Sequence, residues 1–233
     1  MCVFLFLFCA IAPLAAQEVQ LHGLAFENWI CDSFFEGYRP PYTGKWDIPA
    51  AVNRQHGGIP INPKAVKWGT PVDLGDALRQ FDIEEPFWLI LGYWQQRGDY
   101  KYFVNIFAKR IEPATWKSLW HPITRMDLEK LDAVIKNREL DYGTARWEAK
   151  EMKSKPPFSE AVMVLNPKID SHTQRRLQCS LRFQDVFKYL GEGEKPTTSD
   201  TPALWGIPFP NPIESSARSF AIPKVPTVPK KNE

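Results

Sequence analysis

The nearly continuous apolar run from Phe87 to Tyr93 constrains this chain more than any other segment. A strand with one face in water alternates apolar and polar residues, whereas a run without alternation has to be covered on both faces. Lys101 to Ala108 is predicted to pair with it across the polar turn of Gln95, Gln96, Arg97, Gly98 and Asp99. A central hairpin lying between two layers follows, and the mixed order of the elements around it predicts a mixed α/β fold. The expected architecture is one domain with a mixed central sheet flanked by helices.

The other elements are read from periodicity and punctuation. Leu21, Leu24, Ala25, Trp29, Ile30 and Phe34 recur at helical spacing, which predicts an amphipathic helix from His22 to Phe35, ended by Gly37 and Pro40. Lys45 to Ile48 is a short strand with Trp46 and Ile48 on one side and Asp47 on the other. Ile59 to Val66 is a second strand, broken or at an edge because of Pro60 and Pro63. Asn62 and Lys64 then share one of its faces. Asp73 is predicted to cap a helix reaching Phe81. Further helices are expected at Pro113 to Leu119, Asp127 to Arg138, Tyr142 to Lys153 and Gln184 to Leu190, and strands at Ala161 to Leu165 and Arg176 to Phe183.

The folded part is expected to span residues 18–190, between an apolar leader at 1–17 and a proline-rich tail at 191–233. The leader, Val3 to Ala16, is shorter than the roughly 20 residues of a membrane span, so no membrane partner is expected. Its end, Leu14 to Gln17, resembles a signal-peptidase site, yet no lysine or arginine precedes the apolar run. One reading is a signal peptide, which would place the protein outside the cell or in the periplasm; the other is a misassigned start or an apolar extension packed on the domain. In the tail Pro196, Pro202, Pro208, Pro210, Pro212, Pro223, Pro226 and Pro229 predict disorder, with an apolar knot at Leu204 to Phe209 that can dock on the domain.

With a net charge of +2, attraction to a polyanion has to come from a local patch. Cys31 and Cys179 are the only thiols outside the leader, which is no disulfide framework and no zinc motif. Phosphate-binding glycine loops, a nucleophile elbow and a zincin helix are missing from the sequence. Most of the nine tryptophans sit at apolar-periodic positions and are read as core.

The chemistry-bearing pattern is an acid on the first helix, Glu27, an acid on a short strand, Asp47, and a lysine on the next strand, Lys64. Phosphodiester hydrolysis needs a cation to neutralise the scissile phosphate and polarise a water, and Mg²⁺ prefers a few carboxylates plus its own waters. Glu27 and Asp47 can supply such ligands, and a lysine beside them can hold the attacking water while cancelling charge in the transition state. Asp73, Asp76, Arg79 and Gln80 follow the second strand and can add polar groups reaching phosphate or metal, but capping plus a solvated helix face is the preferred account of them. The alternative for the main pair is that Asp47 caps a turn and Lys64 is a solvated strand residue.

In Lys45 to Pro49, Ile61 to Lys64 and Glu27 the chain resembles the PD-(D/E)XK nuclease superfamily, and within it the type II restriction endonucleases. The resemblance covers roughly residues 22–108. It implies a restriction-endonuclease-like fold, Mg²⁺ (with Mn²⁺ as a substitute) as cofactor, Asp47 and Glu27 as metal ligands, and Lys64 as the water-activating cation. The chain departs from the family at Asn62, where an aspartate or glutamate is expected; its carbonyl oxygen can act as a weak ligand or hold a metal-bound water.

A second feature, Asn166 to Arg182, concentrates Lys168, Arg175, Arg176 and Arg182 with Gln178 and hydroxyl residues. Arginine grips phosphate or guanine in a bidentate manner and glutamine reads adenine, so Lys168, Arg175, Arg176 and Gln178 are candidate DNA contacts. An ordinary polar hairpin is the alternative. The sequence therefore leads to a cytoplasmic, Mg²⁺-dependent, site-specific DNA endonuclease acting on double-stranded DNA, a homodimer if its site is palindromic. Two other readings are carried beside it. One is a secreted or periplasmic binding module using exposed aromatics; the other is a catalytically inactive nuclease-like DNA-binding protein.

Overall fold

A computed structural model describes residues 14–40, 45–171 and 174–214, with side chains from residue 23 onward. Helix α1 runs Leu14–Phe34, β1 Ile61–Lys67, β2 Val72–Asp76, α2 Ala77–Phe81, β3 Phe87–Arg97 and β4 Tyr100–Ile111. Helices α3 (Pro113–Ser118), α4 (Arg125–Lys136) and α5 (Tyr142–Lys153) follow, then β5 (Val164–Ile169), β6 (Arg175–Leu181) and the short turn α6 (Phe183–Asp185). The described part closes with β7 (Ala203–Leu204), β8 (Ile207–Pro208) and β9 (Ile213–Glu214).

The result is a single mixed α/β domain with a mixed sheet flanked by helices. The first sheet has the order β1-β3-β4-β9, with β1 parallel to β3 and the other pairs antiparallel. The second, β2-β6-β5, is antiparallel throughout. β3 is buried on both faces as its composition demands. Phe87, Leu89, Leu91 and Tyr93 join the larger core with Trp116, Trp120, Leu128 and Leu131 from α3, α4 and the segment between them. Ile90 joins a smaller core with Phe26 and Ile30 of α1. Between these, Gly92 lets α1 come close: a Cβ there would lie 2.6 Å from both the Phe26 and the Phe103 ring, rings stacked with centroids 5.0 Å apart.

Several boundaries differ from the sequence reading. α1 begins at Leu14, because residues 14–22 include several strong helix formers and neither proline nor glycine; residues 1–13 lie outside the described part. Among the described residues no helix is long and apolar enough to cross a membrane. The strand expected at Lys45 to Ile48 reduces to one bridge between Ile48 and Ile61, since Pro49 has no N–H to extend a ladder. β1 is indeed an edge strand of its sheet.

Asp73 is not a helix cap. It lies in β2, its carboxylate accepting from the Gly75 amide at 2.9 Å, and a bulge at Gly75 (φ +85°) delays the helix to Ala77. Asp76 caps instead, accepting from the Arg79 amide at 2.8 Å. β3 and β4 reach further than expected, leaving Gly98 and Asp99 as the turn. The strand expected at Ala161 to Leu165 lies at β5. The last helix is a short turn that widens into a π-helical turn at Val186–Leu190.

The tail required the largest correction. Over residues 191–214 it is an ordered strap, not a disordered extension. Its prolines forbid helix but suit an extended path, and apolar side chains hold it down. Leu204 and Phe209 are buried in the smaller core. Asn211 replaces a strand partner for Phe103, its side chain accepting from the Phe103 amide at 2.8 Å and donating to the Phe103 carbonyl at 2.7 Å. The apolar knot does dock, with Trp205 stacked on His56 at 3.5 Å. Residues 215–233 lie outside the described part.

Candidate active site

Asp47 sits on a segment with little regular structure, so its position depends on what pins the residues beside it. Lys45 donates to Glu85 at 2.6 Å and the Trp46 indole donates to the same carboxylate at 3.0 Å. These two donors, the Lys45 bond foremost, hold the Glu85 carboxyl below its usual range. Arg79 donates to the Lys45 carbonyl, and on the other side Ile48 is bridged to β1. Asp47 is thereby presented to the neighbouring strand. Lys64 Nζ lies 3.0 Å from Asp47 Oδ2, each side chain about one-third exposed.

Two residues earlier on the same face of β1 is Asn62. It is only 6% exposed, and its side-chain oxygen has no hydrogen-bond partner. An unpaired buried acceptor costs roughly 1–3 kcal/mol, which is reason to look for a ligand. Asp47, Asn62 and Lys64 line a cleft of about 330 Å³ that is completed by Asp73, Asp76 and Gln80 from the β2–α2 corner and by Gln178 from β6. Gln80 repeats the signal: it is 5% exposed, and its side-chain oxygen is likewise buried without a partner. Its backbone is fixed, because the Trp116 indole donates to the Gln80 carbonyl at 2.8 Å.

Glu27 approaches this site electrostatically from α1. Its carboxyl is pushed above the usual range, first by burial and then by the negative charge of Asp47, with Lys64 and Arg39 acting in the opposite sense. Glu27 thus senses both members of the Asp47–Lys64 pair. Of the four residues expected at the catalytic centre, Asp47, Asn62 and Lys64 line one cleft, and Glu27 lies outside its lining but within the reach of the Asp47 and Lys64 charges.

Among the described residues no three carboxylate, imidazole or thiol groups converge as a ready-made metal cage. The donor set of the cleft is nevertheless chemically suited to a small hard cation. The Asp47 carboxylate and the side-chain oxygens of the lining residues Asn62 and Gln80, both buried without a partner, are oxygen groups of the kind that Mg²⁺ and Mn²⁺ accept. Asp73 and Asp76 line the same cleft while each also bonds a backbone amide, Asp76 as the cap of α2 and Asp73 as the brace of the Gly75 bulge.

The expected DNA contacts separate. Gln178 lines the cleft. Lys168 and Arg176 are direct cross-strand partners on the outer face of β5 and β6. Arg175 is a correction: it is 8% exposed on the inner face, donating to the Asn137 and Leu140 carbonyls between α4 and α5. Its guanidinium ties that connection to the sheet and is not presented to a ligand. Comparison with protein-family models, curated proteins and solved structures gave no match.

Proposed function

We propose that this protein is a Mg²⁺-dependent endonuclease with a restriction-endonuclease-like fold, hydrolysing DNA phosphodiesters in the cleft between β1 and the β2–α2 corner. The observation that carries the reading is the Asp47–Lys64 ion pair at 3.0 Å beside the orphaned Asn62 oxygen. Asp47, Asn62 and Gln80 would hold the cation, with Glu27 as a supporting carboxylate. When bound, the cation polarises a phosphoryl oxygen and makes water a better nucleophile.

The chain's own residues do the rest. The Asp47 carboxylate keeps the Lys64 ammonium oriented as a donor, and the ammonium holds the attacking water and offsets charge that develops on the phosphate. Glu27, whose proton is held more tightly than usual, releases it more readily when a cation is present.

Purified protein incubated with plasmid DNA and Mg²⁺ should cut it, and Asp47→Ala and Lys64→Ala should each slow cutting by about 100-fold or more. Intact plasmid with wild type, or variants that cut as well as wild type, would end this assignment. The amide at position 62 supports a second reading, a DNA-binding protein that no longer cuts. Retained DNA affinity without cleavage under either Mg²⁺ or Mn²⁺ would select it.

A further inference from the structure

The outer face of the β2-β6-β5 sheet carries a charge arrangement that the fold alone does not explain. Register places Lys168 of β5 directly opposite Arg176 of β6. Like charges facing each other across a ladder are destabilising. A nearby acid would offset such a pair, yet neither side chain has a hydrogen bond or ion pair with any described residue.

The pair one repeat along the same face is Asn166 opposite Gln178. Asn166 donates to the Ser180 hydroxyl at 2.8 Å, which fixes its amide on this face. Gln178 in turn lines the cleft that holds Asp47 and Lys64. Two residues of strand span about 7 Å, so the uncompensated cationic pair lies about 7 Å along the face from the cleft wall.

We propose that Lys168 and Arg176 form a phosphate clamp for duplex DNA, holding the backbone beside the cleft so that the scissile bond lies over Asp47 and Lys64. The inference rests on the nuclease reading of the cleft. The hairpin's own acid, Asp170, makes no ion pair with either cation, so an anionic backbone can supply the counter-charge, and a two-stranded ribbon has the dimensions to lie against a groove of B-DNA. The clamp reads no sequence, because contacts to phosphate position the protein without reporting base identity. Arg175, its neighbour in sequence, takes no part, since it faces the core.

The test measures equilibrium binding of two short duplexes of unrelated sequence, with Ca²⁺ in place of Mg²⁺ to prevent cutting, over a range of salt. Wild type, Lys168→Gln/Arg176→Gln and the control Lys130→Gln/Lys150→Gln are compared, the control removing the same charge from exposed positions on α4 and α5. The clamp variant is expected to lose affinity about 10-fold or more for both duplexes alike, and its log–log salt dependence should flatten by about 2. Its thermal stability should equal or exceed wild type, because the like-charge pair is gone, and Arg176→Lys should retain binding. The control should bind as wild type does.

Unchanged affinity and salt slope in the clamp variant would overturn the clamp while leaving the cleavage reading standing. An equal loss in the control would overturn it too, since the effect would then belong to overall charge. So would a loss confined to one duplex, because phosphate contacts are blind to sequence. If wild type binds neither duplex, the clamp fails; whether plasmid is then also left uncut decides separately whether the nuclease reading falls.

Discussion

On one face of the β3–β4 hairpin the cover is local. Trp116, Trp120, Leu128 and Leu131 come from chain that follows the hairpin directly, and with the second sheet they build the larger core. On the opposite face the cover is assembled from the two ends of the described chain. Phe26 and Ile30 come from α1, while Leu204 and Phe209 come from the strap, and the bonds from Asn211 to Phe103 join residues 108 apart in sequence. Long-range closure costs more chain entropy before it gains contacts, so the second cover depends more heavily on each anchor. The candidate site draws on both. Asp47, Asn62, Lys64 and Gln178 line the cleft, and Glu27, on the end-built cover, feels the charges of Asp47 and Lys64.

The sharpest way to break this contrast is Phe209→Ala. Phe209 is buried against Phe103, Trp29 and Phe26, with centroids at 4.3, 4.9 and 6.0 Å. Its truncation should cost about 3–5 kcal/mol in a denaturant titration and, on the nuclease reading, lower cleavage by loosening α1. A cost under about 1 kcal/mol would make the strap a passive cover.

In the local layer the matching probe is Thr124→Ala. Thr124 and Asp127 form a reciprocal capping box at the start of α4, with bonds of 3.3 and 2.9 Å. Its loss should cost about 1 kcal/mol and leave the cleavage rate of the folded protein unchanged. A fall in that rate would show that the local layer also controls the site.

Glu27→Gln has the smallest effect on stability, and its sign depends on pH. The folded protein holds the Glu27 proton more tightly than the unfolded chain does. Stability is therefore lost as pH rises from the ordinary carboxylate range through the elevated folded value. The neutral amide escapes that loss, so the variant should melt above wild type at pH ~8, the two converging in acid, while cleavage falls. Equal melting temperatures across the range would mean that Glu27 carries no strain of this kind.

Much of this was legible in the sequence for identifiable reasons. The unbroken run at Phe87 to Tyr93 required two covers and has them, and α5 occupies Tyr142–Lys153 as its periodicity predicts. Asp47 and Lys64 are brought together as the spacing suggested. Other features depended on information outside the local pattern. Gly75 allows a bulge that turns an expected helix start into β2, and no short-range signal marks it as more than a flexible residue. The strap was obscured because prolines exclude helix without saying whether an extended chain finds a surface to lie on. Arg175 is different, because the signal was present: Leu177, Cys179 and Leu181 set a two-residue period that puts Arg175 inside and Arg176 outside. Gln80 shows its significance only when its buried oxygen is found without a partner.

The strap has a consequence for the order in which the molecule can be made. Phe209 is among the last described residues to leave the ribosome, yet it seats on Phe26 and Trp29, among the first. The local layer can condense while synthesis continues. The seat of the helix that carries Glu27 cannot be finished until residue 209 has emerged, so in a partly made chain that carboxylate is not yet held in place beside Asp47 and Lys64. On the nuclease reading, Glu27 can play its supporting part only after residue 209 has been translated.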